Sequence, residues 1–306
     1  MPAPSISVVI PTHNHAGFLP AAVGSVRSQG WPGIEIIVVD DGSTDGTGRV
    51  LDELAGDDLR VLRQPKAGAA AARNRGIAES RGDWVAFLDA DDYWLPGKLA
   101  AQMSALAAGS NERTFAYCGS LVFDGQGVII EVRPAAPGAM RLDALVWGNT
   151  ITTGSVVVKR AALFEVGLFD ESLNVLGEDW DLWLRLAASY EGACVPEPLV
   201  AIRYVYFHDK YRVRSFEAAT RRVLSRLFAS LRGRRDLARF ARRRRIIASW
   251  HQSVLAKNYL ECGERAGFLR CGALCLAAHP VRGWYYLTPG RIFGVRIKGS
   301  PALGRK

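Results

Sequence analysis

Short β-branched runs recur along the first ninety residues, each ending on a polar or acidic tip and each followed by helical spacing. Ile6-Ser-Val-Val-Ile10 is closed by Pro11 and leads through Thr12-His-Asn14-His15 into a helix predicted from about Phe18 to Gln29. Ile34-Glu-Ile-Ile-Val-Val39 ends at Asp40-Asp41-Gly42-Ser43, where Thr44 or Asp45 can cap a helix reaching about Ala55. Leu59-Arg-Val-Leu62 precedes Pro65, Gly68 and the alanine-rich segment around Arg73 and Asn74, and Trp84-Val-Ala-Phe-Leu88 stops at Asp89-Ala90-Asp91-Asp92. Apolar runs of this length alternating with helices predict βαβ units: an α/β fold with a largely parallel sheet between helices and right-handed crossovers.

Past Pro96 a helix is expected to about Ala108, with Asp92 as a local capping group. Phe115–Phe123 and Val128–Val132 then form a hairpin across Asp124-Gly125-Gln-Gly127. Ser155–Lys159 is a further strand. Gly177-Glu178-Asp179-Trp180-Asp181 opens a helix with Leu182, Trp183 and Leu186 on one face, and there the macrodipole favours the anionic carboxylates. After Tyr204 the pattern becomes helical and basic. Val223, Leu224, Leu227, Phe228 and Leu231 make an apolar stripe flanked by Arg221, Arg222, Arg226 and Arg232, a basic amphipathic helix expected either to insert at an anionic lipid interface or to pack as a structural cap, and helices follow around 246–262 and 268–278. The expected division is 1–214 as an α/β domain and 215–306 as a basic helical region.

Charge sharpens that division. Residues 1–210 carry 17 Lys+Arg and 26 Asp+Glu, whereas residues 211–306 carry 22 and 4, so the net +9 of the 306 residues conceals halves of −9 and +18. The basic half calls for an anionic partner, an acidic membrane surface or nucleic acid. Nucleic acid is the weaker expectation, because the arginine run lacks interleaved aromatics and no recognised module surrounds it. Neither a leader nor an apolar run of roughly 18 residues is present, so the expected location is cytoplasmic, peripheral on the inner face of the membrane. The five cysteines lack metal-ligand spacing and are expected to be free thiols.

Three carboxylates crowded at the end of a buried strand are costly unless paired or bound to metal, and hard cations such as Mg²⁺ or Mn²⁺ take oxygen ligands. Asp89 and Asp91 are therefore candidates for a metal and nucleotide site; a helix-capping turn is the alternative. Taken in order, Pro11-Thr12-x-Asn14, Asp40-Asp41-Gly42-Ser43, Gly68-x-x-x-Ala72-Arg73-Asn74, Asp89-Ala90-Asp91-Asp92 and Glu178-Asp179-x-Asp181 resemble glycosyltransferase family 2 over about residues 5 to 210. Members are inverting enzymes of GT-A fold that use nucleotide sugars.

The resemblance implies a nucleoside-diphosphate sugar as donor, UDP- or dTDP-linked, and a glycan or lipid-linked hydroxyl as acceptor in cell-surface polysaccharide synthesis. Pro11, Thr12, Asn14, Asp40, Arg73, Asp89, Ala90 and Asp91 would hold the donor, and Asp91 with Asp89 the Mn²⁺ or Mg²⁺. Asp179 matches the base position, with Glu178 beside it and Asp181 in support. The Gln-x-x-Arg-Trp element of processive members is missing, so transfer of single sugars is expected. His208, Lys210, Arg212 and Arg214 either form a lid over the diphosphate or a solvated basic loop. The rival reading is a noncatalytic nucleotide-sugar-binding subunit that tethers partners through its basic helices.

Overall fold

Ile6–Thr12 are all buried, and in the computed structural model of the chain they form β1, the strand on which the first unit is laid down. The structure describes residues 5–108, 113–173, 176–203 and 210–288, the side chains of Lys210 and Arg212 excepted. After β1 come α1 (Leu19–Arg27), β2 (Ile34–Asp41), α2 (Thr47–Glu53), β3 (Leu59–Gln64), α3 (Ala69–Glu79) and β4 (Trp84–Phe87). These four strands are parallel, with Thr12 opposite Asp40 and Val9 opposite Phe87. Their carboxyl ends thus gather Thr12, Asp40 and the segment from Leu88 onward at one edge, where open α/β sheets bind ligands.

Continuing along the chain are β5 (Tyr93–Trp94), α4 (Lys98–Ala107), β6 (Arg113–Phe123), β7 (Ile129–Arg133), α5 (Leu142–Leu145), β8 (Val156–Lys159), α6 (Arg160–Val166), α7 (Glu178–Ala187) and β9 (Glu191–Arg203). The sheet runs β3-β2-β1-β4-β8-β6-β9-β5, with β7 paired to β6 as the expected hairpin. Beyond β4 the pairing is mixed: β8 is antiparallel to both β4 and β6, and β9 is parallel to β6. The sequence did not announce β9, because Pro196 and Pro198 cannot donate to a ladder. A register slip absorbs them, the partner of β6 passing from Val195 at Cys118 to Val200 at Ser120. Gly119 lies at that slip, where a Cβ would come within 3.0 Å of Pro196 O.

Side-chain alternation sends Val8 and Ile10 to a core shared with Leu19, Val23 and Val26, while Ile37 and Val39 meet Ala72 on the opposite face. There α3 lies so close that a Cβ on Gly76 would stand 2.4 Å from Val9 Cγ1. Its small residues allow that approach, and the close seat fixes where Arg73, nearly one turn earlier, meets the strand ends.

The chain divides into two compact units, Met1–Val205 and Tyr206–Lys306, earlier than the 214/215 boundary expected from composition. The second contains α8 (Lys210–Ser230), α9 (Ala238–Arg242), α10 (Arg244–Glu261), α11 (Arg265–Ala278) and α12 (Pro280–Tyr286). Because α8 starts at Lys210, the basic stretch from there is helix and not a loop. A second correction concerns the stripe on α8. Val223, Leu224, Leu227 and Leu231 are buried in protein, so they are not free to enter a lipid interface. Glu217 of α8 ties the unit together, its carboxylate accepting from both terminal nitrogens of Arg270 (2.6 Å each) and from Tyr259 Oη at 2.6 Å. Hydrogen bonding to Arg270 above all holds Glu217 down to about 2. No described helix is long and apolar enough to cross a membrane.

Candidate active site

The strand ends enclose a cleft of ≈ 230 Å³. Of the residues singled out from sequence, Pro11, Thr12, Arg73, Asp89, Ala90 and Asp91 line it, joined by His13, His15, Asp41 and Ala69. Asn14 and Asp40 do not; they build the loops around it. Asn14, at φ 60°, accepts from Thr44 N through Oδ1 (2.8 Å), and its own N–H donates to Ser43 Oγ (2.9 Å). Asp40 Oδ1 accepts from Ser43 N at 2.9 Å and turns the tip of β2. The next residue, Asp41, is the acid of the β2 tip that lines the cleft. Burial alone would raise the pKa of Asp41, but Gln64 Nε2, Ala67 N and Gly68 N, each donating at 2.8 Å, hold its carboxylate below the usual range. That carboxylate also fixes the chain entering α3.

Arg73 joins the two halves of the site. Its guanidinium is buried, with Nη2 donating to Asp89 Oδ1 at 2.7 Å and Nη1 to Glu178 Oε1 at 3.0 Å. Burial disfavours its charge, yet the two carboxylates outweigh that and raise its pKa. Phe169 stacks on it at 5.4 Å. The loop carrying Phe169 is clamped by buried Asn74, which donates to Phe169 O (3.0 Å) and accepts from Phe169 N (2.9 Å). Arg73 Nε, Thr12 Oγ1 and His15 Nδ1 are buried without hydrogen-bond partners, and all three belong to residues lining the cleft. Three of the eight such atoms among the described residues thus belong to this one cleft and leave it unused capacity for a polar ligand.

Burial, then the charge of Asp89, raises the pKa of Asp91; burial with both Asp89 and Asp91 raises that of Asp92 well above the carboxylate range. Asp92 does not cap α4, which begins after left-handed Gly97 (φ 81°); its Oδ1 accepts from Arg203 N at 2.9 Å. Among the described residues no three His, Cys, Asp or Glu side chains assemble as a metal cluster.

At the start of α7, after left-handed Gly177, Asp179 Oδ1 accepts from Trp180 N at 2.6 Å and Oδ2 from Asn149 Nδ2 at 2.8 Å. Asn149 is oriented in turn by Ile151 N, which donates to its Oδ1. Burial first, then the charge of Glu178, pushes Asp179 up to about 7 against the Trp180 N–H and Arg73. The like-charge effect and burial thus outweigh the helix end. Asp181 is buried, its Oδ2 accepting from both Nη2 (2.7 Å) and Nε (2.9 Å) of Arg185, and Arg185 also donates to Val166 O and Leu168 O. It anchors α7. His208 and the side chain of Arg212 lie outside the described residues, while Arg214 pairs with Glu264 at 3.7 Å.

Comparison with known proteins follows the same lines. The sequence profile for glycosyl transferase family 2 matches residues 7–151. A PGL/p-HBAD biosynthesis glycosyltransferase of Mycobacterium tuberculosis is 30% identical over 209 residues, covering 67% of this chain and 75% of the relative. The chain belongs to glycosyltransferase family 2. An uncharacterized glycosyltransferase of Rickettsia typhi is 31% identical over 201 residues, and the match spans 61% of that relative's length. The GT-A fold is shared with the crystal structure of S. aureus TarS 1-349, at TM-score 0.65 and 17% identity over 92% of this chain and 83% of that one. A further structure of TarS 1-349, in complex with UDP-GlcNAc, aligns at TM-score 0.62 and 15% identity.

Besides His13, His15, Asp41 and Ala69 in the cleft lining, two residues around this family 2 site escaped the sequence reading. Asn149 lies in an unpatterned loop and Phe169 in another, and each matters through a partner distant in the chain. The only signal for Phe169 was its place in Gly167-Leu-Phe-Asp170, a polar-flanked aromatic before the helix that carries Asp179.

Proposed function

We propose that the chain is an inverting glycosyltransferase that moves a single sugar from a UDP- or dTDP-linked donor to a hydroxyl of a glycan or lipid-linked acceptor in cell-surface polysaccharide assembly. The observation that carries this is the Arg73 bridge. One buried guanidinium holds Asp89 of the cleft and Glu178 of α7 together, which sets Asp179 beside the cleft. Inversion requires a base that takes the acceptor hydroxyl's proton on the face opposite the leaving group. A carboxylate near pH 7 in its affinity suits that task better than an ordinary one, and Asn149 and Trp180 N hold it in place.

Thr12, His15 and Arg73 offer their unused polar atoms to the donor. Asp91, with Asp89, would hold Mn²⁺ or Mg²⁺. Two carboxylates without a third protein ligand fit such an ion, which completes its shell with phosphate oxygens and water. Bound there, the ion supplies positive charge against the diphosphate leaving group. A structure of TarS, of the same fold, is a complex with UDP-GlcNAc, which supports a UDP-linked donor, and the mycobacterial relative is named for PGL/p-HBAD biosynthesis. The basic second unit meets an anionic surface, the inner face of the cell membrane.

A thermal-shift screen of UDP- and dTDP-sugars with and without Mn²⁺ tests the reading, since a ligand at a hundredfold its Kd adds about 2.7 kcal/mol of stability. One nucleotide sugar should stabilise the parent in the presence of Mn²⁺, and Asp91→Ala should fold but lose the effect. No response to any nucleotide sugar, or an Asp91→Ala response equal to the parent's, contradicts it.

A further inference from the structure

Helix α11 is apolar on both sides. Cys271, Gly272 and Cys275 face inward and are buried, while Leu269, Ala273, Leu274 and Ala277 are exposed, Leu269 by 67%. From Ala266 to Ala278 Arg270 is the one charged residue, and both its terminal nitrogens are engaged by Glu217. Helix α12 lies tight against α11, since a Cβ on Gly283 would come 2.7 Å from Cys275 O. Its outward side then carries Val281 (79% exposed), Trp284 (71%) and Tyr285, spaced by three and four residues. A helix apolar all round belongs in a core or in lipid, and a water-exposed Trp and Tyr beside arginines is the composition of a membrane interface.

We infer that the α11–α12 hairpin is the face by which the second unit seats on an anionic lipid bilayer, with Val281 and Trp284 entering the headgroup region. The inference rests on the reading that the basic unit meets an anionic surface, and it moves the apolar contact from α8, whose stripe is buried, to this hairpin. Charge selects lipid over a second copy of the chain. Residues 211–306 hold 22 Lys+Arg against 4 Asp+Glu, so two such units repel while a phosphate-rich surface attracts.

Sedimentation of the full chain with vesicles of phosphatidylglycerol and phosphatidylcholine, and with phosphatidylcholine alone, tests this. The parent should bind the anionic vesicles, and Val281→Ser with Trp284→Ser should weaken binding about tenfold, with more of what remains lost in high salt. The same change at exposed Val128, just before β7, and Ile130 of β7 should leave binding as it was. Binding equal to the parent's in the Val281/Trp284 variant overturns the hairpin and spares the basic surface; no binding of the parent overturns both. A dimer in solution that the Val281/Trp284 variant dissociates also overturns it, because the face is then covered by a second copy.

Discussion

Arg73 in the first unit and Glu217 in the second are each a buried charge gripped by groups of opposite sign, and they differ in how fully they are satisfied. Glu217 receives two hydrogen bonds on each oxygen, from Arg270 and Arg221 on Oε1 and from Arg270 and Tyr259 on Oε2. Arg73 uses both terminal nitrogens and keeps Nε unpaired, in a cleft where Thr12 Oγ1 and His15 Nδ1 are unpaired too. A closed cluster spends its hydrogen-bonding capacity on tertiary structure, whereas an open one retains some for a ligand. The same kind of charged contact therefore makes a fastening in one place and leaves a candidate binding site in the other.

The largest effect is expected at the closed cluster. Glu217→Gln weakens four charge-assisted hydrogen bonds and turns an NH2 group toward the donors of Arg270, so it should lower the stability of the second unit by about 3 kcal/mol in chemical denaturation at neutral pH. The carboxylate's pKa is depressed from 4.5 to about 2 in the folded state, so its contribution is complete above 4.5 and fades as pH falls through about 2. The variant should lack this acid limb; an unchanged limb would show that Glu217 is not the fastening.

Arg73→Met should cost less stability, about 2 kcal/mol, because Asp89 and Glu178 retain partial access to water once the guanidinium is gone. It should instead abolish the response to nucleotide sugar. A variant that melts early and still binds donor would mean that Arg73 belongs with Glu217, as a fastening.

Lys98 marks a third case, a cation sealed in the core with Gln102 Oε1 at 2.8 Å and the Trp94 ring at 4.0 Å, and with no ion pair among the described residues. Burial lowers its pKa from 10.5 to about 8. Between those values the unfolded chain binds the proton that the folded chain has released, so stability rises with pH from about 8 to 10.5 and the cost of charging is fully present below 8. Lys98→Met should therefore stabilise the protein at pH 7 by roughly 1 kcal/mol, after the loss of the Gln102 contact, and flatten that rise. Loss of stability instead would assign the ammonium a fastening role.

The parallel half of the sheet could be read from sequence because its strands are continuous β-branched runs whose tips carry the acids. β9 could not, since its two prolines contradict a strand until a register slip in β6 absorbs them. Within the site, the tips of β1 and β4 and the start of α7 were legible as motifs. The choice between Asp40 and Asp41 was not, because adjacent residues on a strand point opposite ways and only tertiary contacts decide which one meets Gly68 N. Asn149 and the Arg73–Glu178 pair join residues 30 and 105 positions apart, and local patterning carries no trace of either. On α8 the apolar spacing was a true helical signal, but what covers it is a property of the packed unit.

The most direct test of the open site is turnover of the nucleotide sugar found by the screen, measured across pH for the parent and Asp179→Asn. Turnover by the parent should rise with pH through about 7 as Asp179 gives up its proton. The variant should bind donor with the parent's affinity yet turn over roughly 10²–10⁴-fold more slowly, the range of general-base catalysis. An Asp179→Asn enzyme that works within a few fold of the parent, with the same pH profile, would contradict the account.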